Sequence, residues 1–140
     1  MRMHEYAEKI ASIGAAANPT FMTLGITPVS WGGGTAVLKM TAKKEFHNGI
    51  GFLQGGFYVI LADEAIALAI LAELDPGSGT TTISETTEFI RGTKDDEIFA
   101  VAKIIRKGRR IIFAEAEVRR GSVDGDLLSK TSTSYLITQC

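Results

Sequence analysis

The stretch "HNGIGFLQGGFYVILADEAIALAI", His47 to Ile70, decides how this chain folds. From Phe57 to Leu71 nearly every residue is apolar, yet Asp63 and Glu64 stand side by side in the middle. Four glycines lead into it, Gly49, Gly51, Gly55 and Gly56. A helix with no polar face is enclosed either by lipid or by protein. This one is ~15 residues and ~22 Å long, short of the ~20 residues that cross a bilayer. Two adjacent acids at its centre would each cost several kcal/mol in lipid. The run is therefore expected to be a core helix opened by Gly55 or Gly56, ending near Leu74 before Asp75-Pro76-Gly77-Ser78-Gly79.

Outward from the helix, the flanking sequence alternates. Ile26–Trp31 and Thr35–Thr41 read as two strands joined at Gly32-Gly33-Gly34. Lys43 to Gln54 is a loop. Thr80–Ile90 is threonine-rich and alternating, hence a strand. Ile98–Arg106 and Arg110–Arg119 form a hairpin around Lys107-Gly108-Arg109, and Leu127–Ile137 follows a turn at Ser122-Val123-Asp124-Gly125. Residues 4–16 read as a helix with Tyr6, Ile10 and Ile13 on one face, interrupted by Asn18-Pro19. Phe21–Gly25 is a short apolar stretch that either begins the next element or packs as a lid. Hairpins around one long helix predict an α+β fold, an antiparallel sheet wrapped on that helix.

Bulk properties narrow the function. The length of 140 residues fits one domain, 1–140, with the N-terminal helix in 1–20. A net charge of -1 and the lack of any basic tail argue against nucleic acid. The lone cysteine, Cys140, excludes an internal disulfide, and His4 and His47 are too few for a zinc site, so no metal is expected. Met1 to Tyr6 does not resemble a signal peptide, which suggests the cytoplasm.

Adjacent helical residues point about 100° apart, so at most one of Asp63 and Glu64 can face the sheet squarely. On one reading both are no more than an exposed strip. Alternatively, one is a desolvated carboxylate poised as a base or nucleophile.

The pattern His47-Asn48-x-x-Gly51-x-x-Gln54-Gly55-Gly56-x-x-x-x-Leu61-Ala62-Asp63 resembles the hotdog-fold acyl-CoA thioesterases of the phenylacetate-degradation (PaaI) type. Thr82–Ile90 with Arg91, the "KGRR" hairpin and Asp124-Gly125 extend the likeness over roughly Ile26 to Ile137. The family usually carries histidine where this chain has Gln54, and proline where it has Gly92.

The resemblance implies a role for each matching residue. Asp63 matches the general base or nucleophile, and Asn48 the asparagine that orients the attacking water near the thioester. Gly55 matches the glycine whose N–H meets the thioester carbonyl at the helix N-terminus. Thr82 matches a hydroxyl beside the water or the aspartate, with Thr81 one register away. Gln54, Gly56, His47 and Arg91 fall at substrate-binding positions, with Arg91 aimed at the phosphates of coenzyme A. No cofactor is implied beyond the coenzyme A of the substrate. The family's sites lie between subunits. This implies a homodimer in which Asn48 and Gly55 of one chain face Asp63 and Thr82 of the other, and a homotetramer built from such dimers. With Asp63 the sole carboxylate, the acid limb of the pH–rate profile should show one ionisation.

Each residue also has a plainer role. Asn48 would shape the loop, the glycines would open the helix, Thr82 would be a strand former and His47 a surface residue. The basic side chains would be solvated. Gly49-x-Gly51-x-x-x-Gly55 fails the spacing of a dinucleotide fingerprint, and Gly77-Ser78-Gly79 is not a nucleophile elbow. A hotdog dehydratase or hydratase would need a histidine in the cavity, which this pattern does not supply. A non-catalytic acyl-CoA-binding protein remains the alternative.

Overall fold

In a computed structural model, residues 1–139 are described; Cys140 lies outside them. Six antiparallel strands form one sheet in the order β1-β2-β4-β5-β6-β3. They are β1 (Thr27–Gly32), β2 (Thr35–Thr41), β3 (Ser78–Phe89), β4 (Glu97–Lys107), β5 (Ile111–Arg120) and β6 (Leu127–Gln139). The long helix α3 (Gly55–Leu71) lies mainly over β2, β4 and β5. This is the hotdog arrangement.

The residues under the helix explain how closely it seats. Ala36 on β2, Ala100 and Ala102 on β4, and Ala114 and Ala116 on β5 form a floor of small side chains, all nearly or completely buried. Leu38, Met40, Ile98, Ile112 and Val118 close around them. The helix turns Leu61, Ala62, Ala65, Ile66, Leu68, Ala69 and Ile70 into this space. An all-apolar helix is stable here because protein covers most of its circumference. Among the described residues no helix is long and apolar enough to cross a membrane.

The rest of the helix is covered by the N-terminal segment, which departs from the expected single helix over 4–16. A 3-10 turn (Met3–Glu5) leads into α1 (Tyr6–Ile13), which stops where Gly14 takes φ +60°. A second helix, α2 (Pro19–Leu24), then begins where the sequence suggested only a break. Asn18 caps it, its Oδ1 accepting from the Thr20 N–H at 2.9 Å, and Pro19 fits the first helical position because no N–H is needed there. The Phe21–Gly25 stretch is thus mostly this helix, with Phe21 fully buried. α3 ends at Leu71 rather than near Leu74, while β3 starts two residues earlier than Thr80. The β1–β2 hairpin turns at Gly33 and Gly34, whose φ of +62° and +80° matches the twist of short hairpins.

Candidate active site

The loop before α3 is built around Asn48. Its Oδ1 accepts from the N–H groups of Ile50 (3.0 Å) and Phe52 (3.1 Å). Asn48 therefore does shape the loop, and its amide NH2 is the group left to offer a ligand. Gln54 stands at the helix N-cap without a side-chain capping bond and is exposed. Gly55 and Gly56 supply the first N–H groups of the helix, which have no intrahelical partner. A Cβ on Gly55 would lie 3.3 Å from the Phe89 ring, so a side chain here would crowd the groove. Gly56 faces open space. Asn48, Gly55, Phe52, Tyr58, Phe89 and Arg91 are among the residues lining a groove of about 360 Å³.

His47 and Arg91 are held by neighbours. His47 Nε2 is 3.0 Å from Lys94 O and 3.3 Å from Asp95 Oδ1, so the ring braces the loop and does not line the groove. Arg91 lies on the groove but pairs with Asp126 at 3.0 Å, alongside Arg120. The hydrogen bond from Arg120 and the charge of Arg91 hold the Asp126 carboxyl below the usual carboxylate range.

The carboxylates part company on α3. Glu64 turns to the N-terminal segment, where Asn18 Nδ2 donates to its Oε2 at 3.0 Å and to the Tyr6 hydroxyl at 2.9 Å. Burial, then the charge of Asp63, raises the Glu64 pKa, and the Asn18 bond opposes the rise. Asp63 turns the other way, toward β6 and β3. The Tyr135 hydroxyl donates to Asp63 Oδ1 at 3.2 Å, and burial raises the tyrosine pKa so that it stays a donor. Thr82 pairs with Tyr135 in register, whereas Thr81 pairs with Leu136, so Thr82 shares the inner face. Asp63, Thr82 and Tyr135 line a second cavity, of about 300 Å³.

Glu85 is the site residue that the sequence did not suggest. Its Oε1 is buried without a hydrogen-bond partner. Burial, then the charge of Asp63, pushes its pKa up to about 7. Asp63 therefore has a second carboxyl near it, which the reading of a single reacting carboxylate did not include. Tyr135 was legible only as an apolar position of the last strand. Among the described residues no group of three or more His, Cys, Asp or Glu converges.

The predicted residues thus fall into two separate groups, Asn48 with Gly55 and Asp63 with Thr82. Gly55 and Asp63 are eight residues apart on one helix, about 12 Å along its axis and about 80° around it.

Solved structures bear out the fold. A conserved protein of Pseudomonas aeruginosa is 28% identical, with 86% of this chain and 94% of that one covered and a TM-score of 0.78. A thioesterase of Haemophilus influenzae is 19% identical over 99% and 92% of the two chains, TM-score 0.81. A variant of the phenylacetic acid degradation protein PaaI from Thermus thermophilus is 22% identical over 85% and 98%, TM-score 0.76. No curated protein matches the chain. The thioesterase superfamily model matches residues 50–125, more than half of the 140. That span holds the end of the glycine-rich loop, α3, β3, β4 and β5: the chain belongs to the thioesterase superfamily and is a thioester hydrolase.

Proposed function

We propose that the chain hydrolyses an acyl- or aryl-CoA to the free acid and coenzyme A, at sites completed by a second copy of itself. The observation that carries this reading is the division of one helix. Its N-terminal N–H groups open on an aromatic groove, and a carboxylate held by Tyr135 opens on another cavity beside Thr82.

In the proposed reaction the Gly55 N–H stabilises the oxyanion that forms as the thioester carbonyl is attacked, helped by the helix dipole. Asp63 takes the proton of the attacking water, or attacks the carbonyl itself and is released by water in a second step. The Asn48 amide and the Thr82 hydroxyl orient that water. The carbon–sulfur bond breaks, and coenzyme A leaves as thiolate and takes up a proton. Arg91 sits at the mouth of the groove, where the phosphates of coenzyme A compete with Asp126 for it.

The sheet itself suggests where the second copy docks. β3 is an edge strand of twelve residues, with Ile83 56% and Phe89 59% exposed. Such an edge invites pairing. Its start lies beside Asp63, and its end, Phe89, lies against Gly55. A two-fold antiparallel pairing of β3 with its copy sets the start of one against the end of the other. Each Asp63–Thr82 group then faces the partner's Gly55. A tetramer of two such dimers completes the reading.

Release of free coenzyme A from an acyl-CoA panel tests the activity. Asp63→Asn should lower kcat by ~10² or more, and Glu64→Gln by far less. Tight acyl-CoA binding without release would replace hydrolysis with a carrier or sensor role. A severe Glu64 effect would move the reacting carboxylate to the other face of the helix.

A further inference from the structure

Thr82 and Glu85 are three residues apart on β3. On a regular strand that spacing sends two side chains to opposite faces. β3, however, carries a bulge between Thr82 and Ser84: Thr82 stands opposite Tyr135, Ser84 opposite Ser134 and Glu85 opposite Thr133. Ile83 is the extra residue. Thr133 and Tyr135 are both buried on the inner face of β6. The bulge therefore turns both Thr82 and Glu85 toward α3 and Asp63, the kind of re-aiming that bulges perform beside active sites.

Glu85 arrives on that face without a donor for its buried Oε1. Thr133, directly opposite, gives its hydroxyl hydrogen to Ala114 O at 3.2 Å. The Tyr135 hydroxyl is committed to Asp63. Neither Glu85 nor Asp63 enters an ion pair among the described residues. The titratable groups that face Glu85 are thus Asp63 on α3 and Tyr135 on β6. Two carboxyls so placed, with no cation, are stable together only if one proton is held between them.

We propose that Asp63 and Glu85 form a carboxyl pair that shares one proton, with Glu85 as a positioning residue. The protonated Glu85 donates to Asp63 and, together with the Tyr135 hydroxyl, fixes the direction in which Asp63 presents its remaining lone pairs to water. The inference rests on Asp63 being the reacting carboxylate, as proposed above. Loss of the shared proton removes one donor and sets a second charge beside the base. Activity therefore needs Asp63 ionised and Glu85 protonated.

Two measurements test the pair, and only one requires turnover. On one acyl-CoA, wild-type kcat/KM should rise through an acid limb and fall through a second ionisation near pH 7. Glu85→Gln, whose amide still donates to Asp63, should stay within about threefold of wild type at pH ~6 and lose the upper limb. Glu85→Ala should lose about tenfold at that pH. Independently, carbon-13 carboxyl NMR should find Glu85 titrating near 7 in the wild type. In Asp63→Asn that value should drop by about one unit or more. The NMR result stands even if no acyl-CoA is hydrolysed, so failure of the pair and failure of the proposed activity are distinguishable. Three results would overturn the pair: an upper limb that survives in folded Glu85→Gln, an ordinary Glu85 titration, or one that ignores Asp63→Asn.

Discussion

Two chains, each inactive alone, should restore one another. Asn48→Ala damages the groove at the start of α3, and Asp63→Asn removes the base farther along it. The axial separation of Gly55 and Asp63 is about 12 Å, set by eight residues of helix. A reacting carbonyl must sit ~3 Å from its oxyanion donor and one water away from its base, a total reach of roughly 6 Å. One chain cannot span the difference, so the proposed site takes its two halves from different chains. A heterodimer of the two variants then holds one site with both halves intact and one with both damaged. Co-expressed with different tags and purified on both, it should show about half of wild-type activity per dimer. Each variant alone should fall ~10²-fold or more, which leaves a window of about fiftyfold. The readout is release of coenzyme A thiol at saturating substrate. Heterodimers that remain at the level of the single variants would refute the division of the site between chains.

The other expected outcomes concern the surroundings of the site. Asn18→Ala removes the α2 cap, worth ~1 kcal/mol, and leaves the half-buried Glu64 without its amide donor, a further ~1–2 kcal/mol. Thermal unfolding at pH ~7 should fall by about 6–12 °C, and by less at pH ~3, below the ordinary carboxylate value, where Glu64 is protonated in both states; an equal drop at both values would detach Asn18 from Glu64. Gly125→Ala should cost ~2 kcal/mol or more in denaturant unfolding, because its Cβ would lie 1.7 Å from Arg120 O, whereas Gly49→Ala meets nothing within 4 Å and should stay within ~0.5 kcal/mol. Gln54→His should unfold at the same temperature as the wild type, since this side chain makes no capping bond, and should add an ionisation near pH ~6.5 to the rate profile if the ring touches substrate. Glu85 has a folded pKa near 7 against an ordinary 4.5, so its contribution to stability is complete below that lower value and lost as pH rises through the higher one. Glu85→Gln does not titrate, so its melting temperature relative to wild type should climb between pH 5 and 7; a constant difference would place Glu85 in water.

The long helix was legible because its sequence has no polar stripe, and the hairpins because glycine clusters separate alternating runs. The N-terminal segment was not. Asn18-Pro19 breaks one helix and starts another, and the residue pair alone does not say which. Helical spacing alone did not separate Asp63 from Glu64, although the motif pointed to Asp63, because the difference lies in what packs beside each. Asn18, forty-six residues away, claims Glu64, and Tyr135, seventy-two residues away, claims Asp63. Thr82 was separable from Thr81 only through its pairing with Tyr135. Glu85 was hidden by the bulge, since simple alternation from Thr82 puts it on the wrong face.

The apolar circumference of α3 has a price during synthesis. The helix is complete at Leu71, but β6, the last strand of its cover, ends at Gln139, about 70 residues later. At ~5–20 residues per second the ribosome needs roughly 4–14 s to make that stretch, far longer than a helix takes to form. For that interval the nascent chain presents a formed rod that is apolar all round except at Asp63 and Glu64, with β1 and β2 as its only strands. The two N-terminal helices, already made, are its first shelter: Phe21 and Ile10 can dock before the sheet exists. Their removal should therefore show first as dependence on trigger-type chaperones and as aggregates in rapidly translating cells, before any loss appears in the melting curve of the protein that survives.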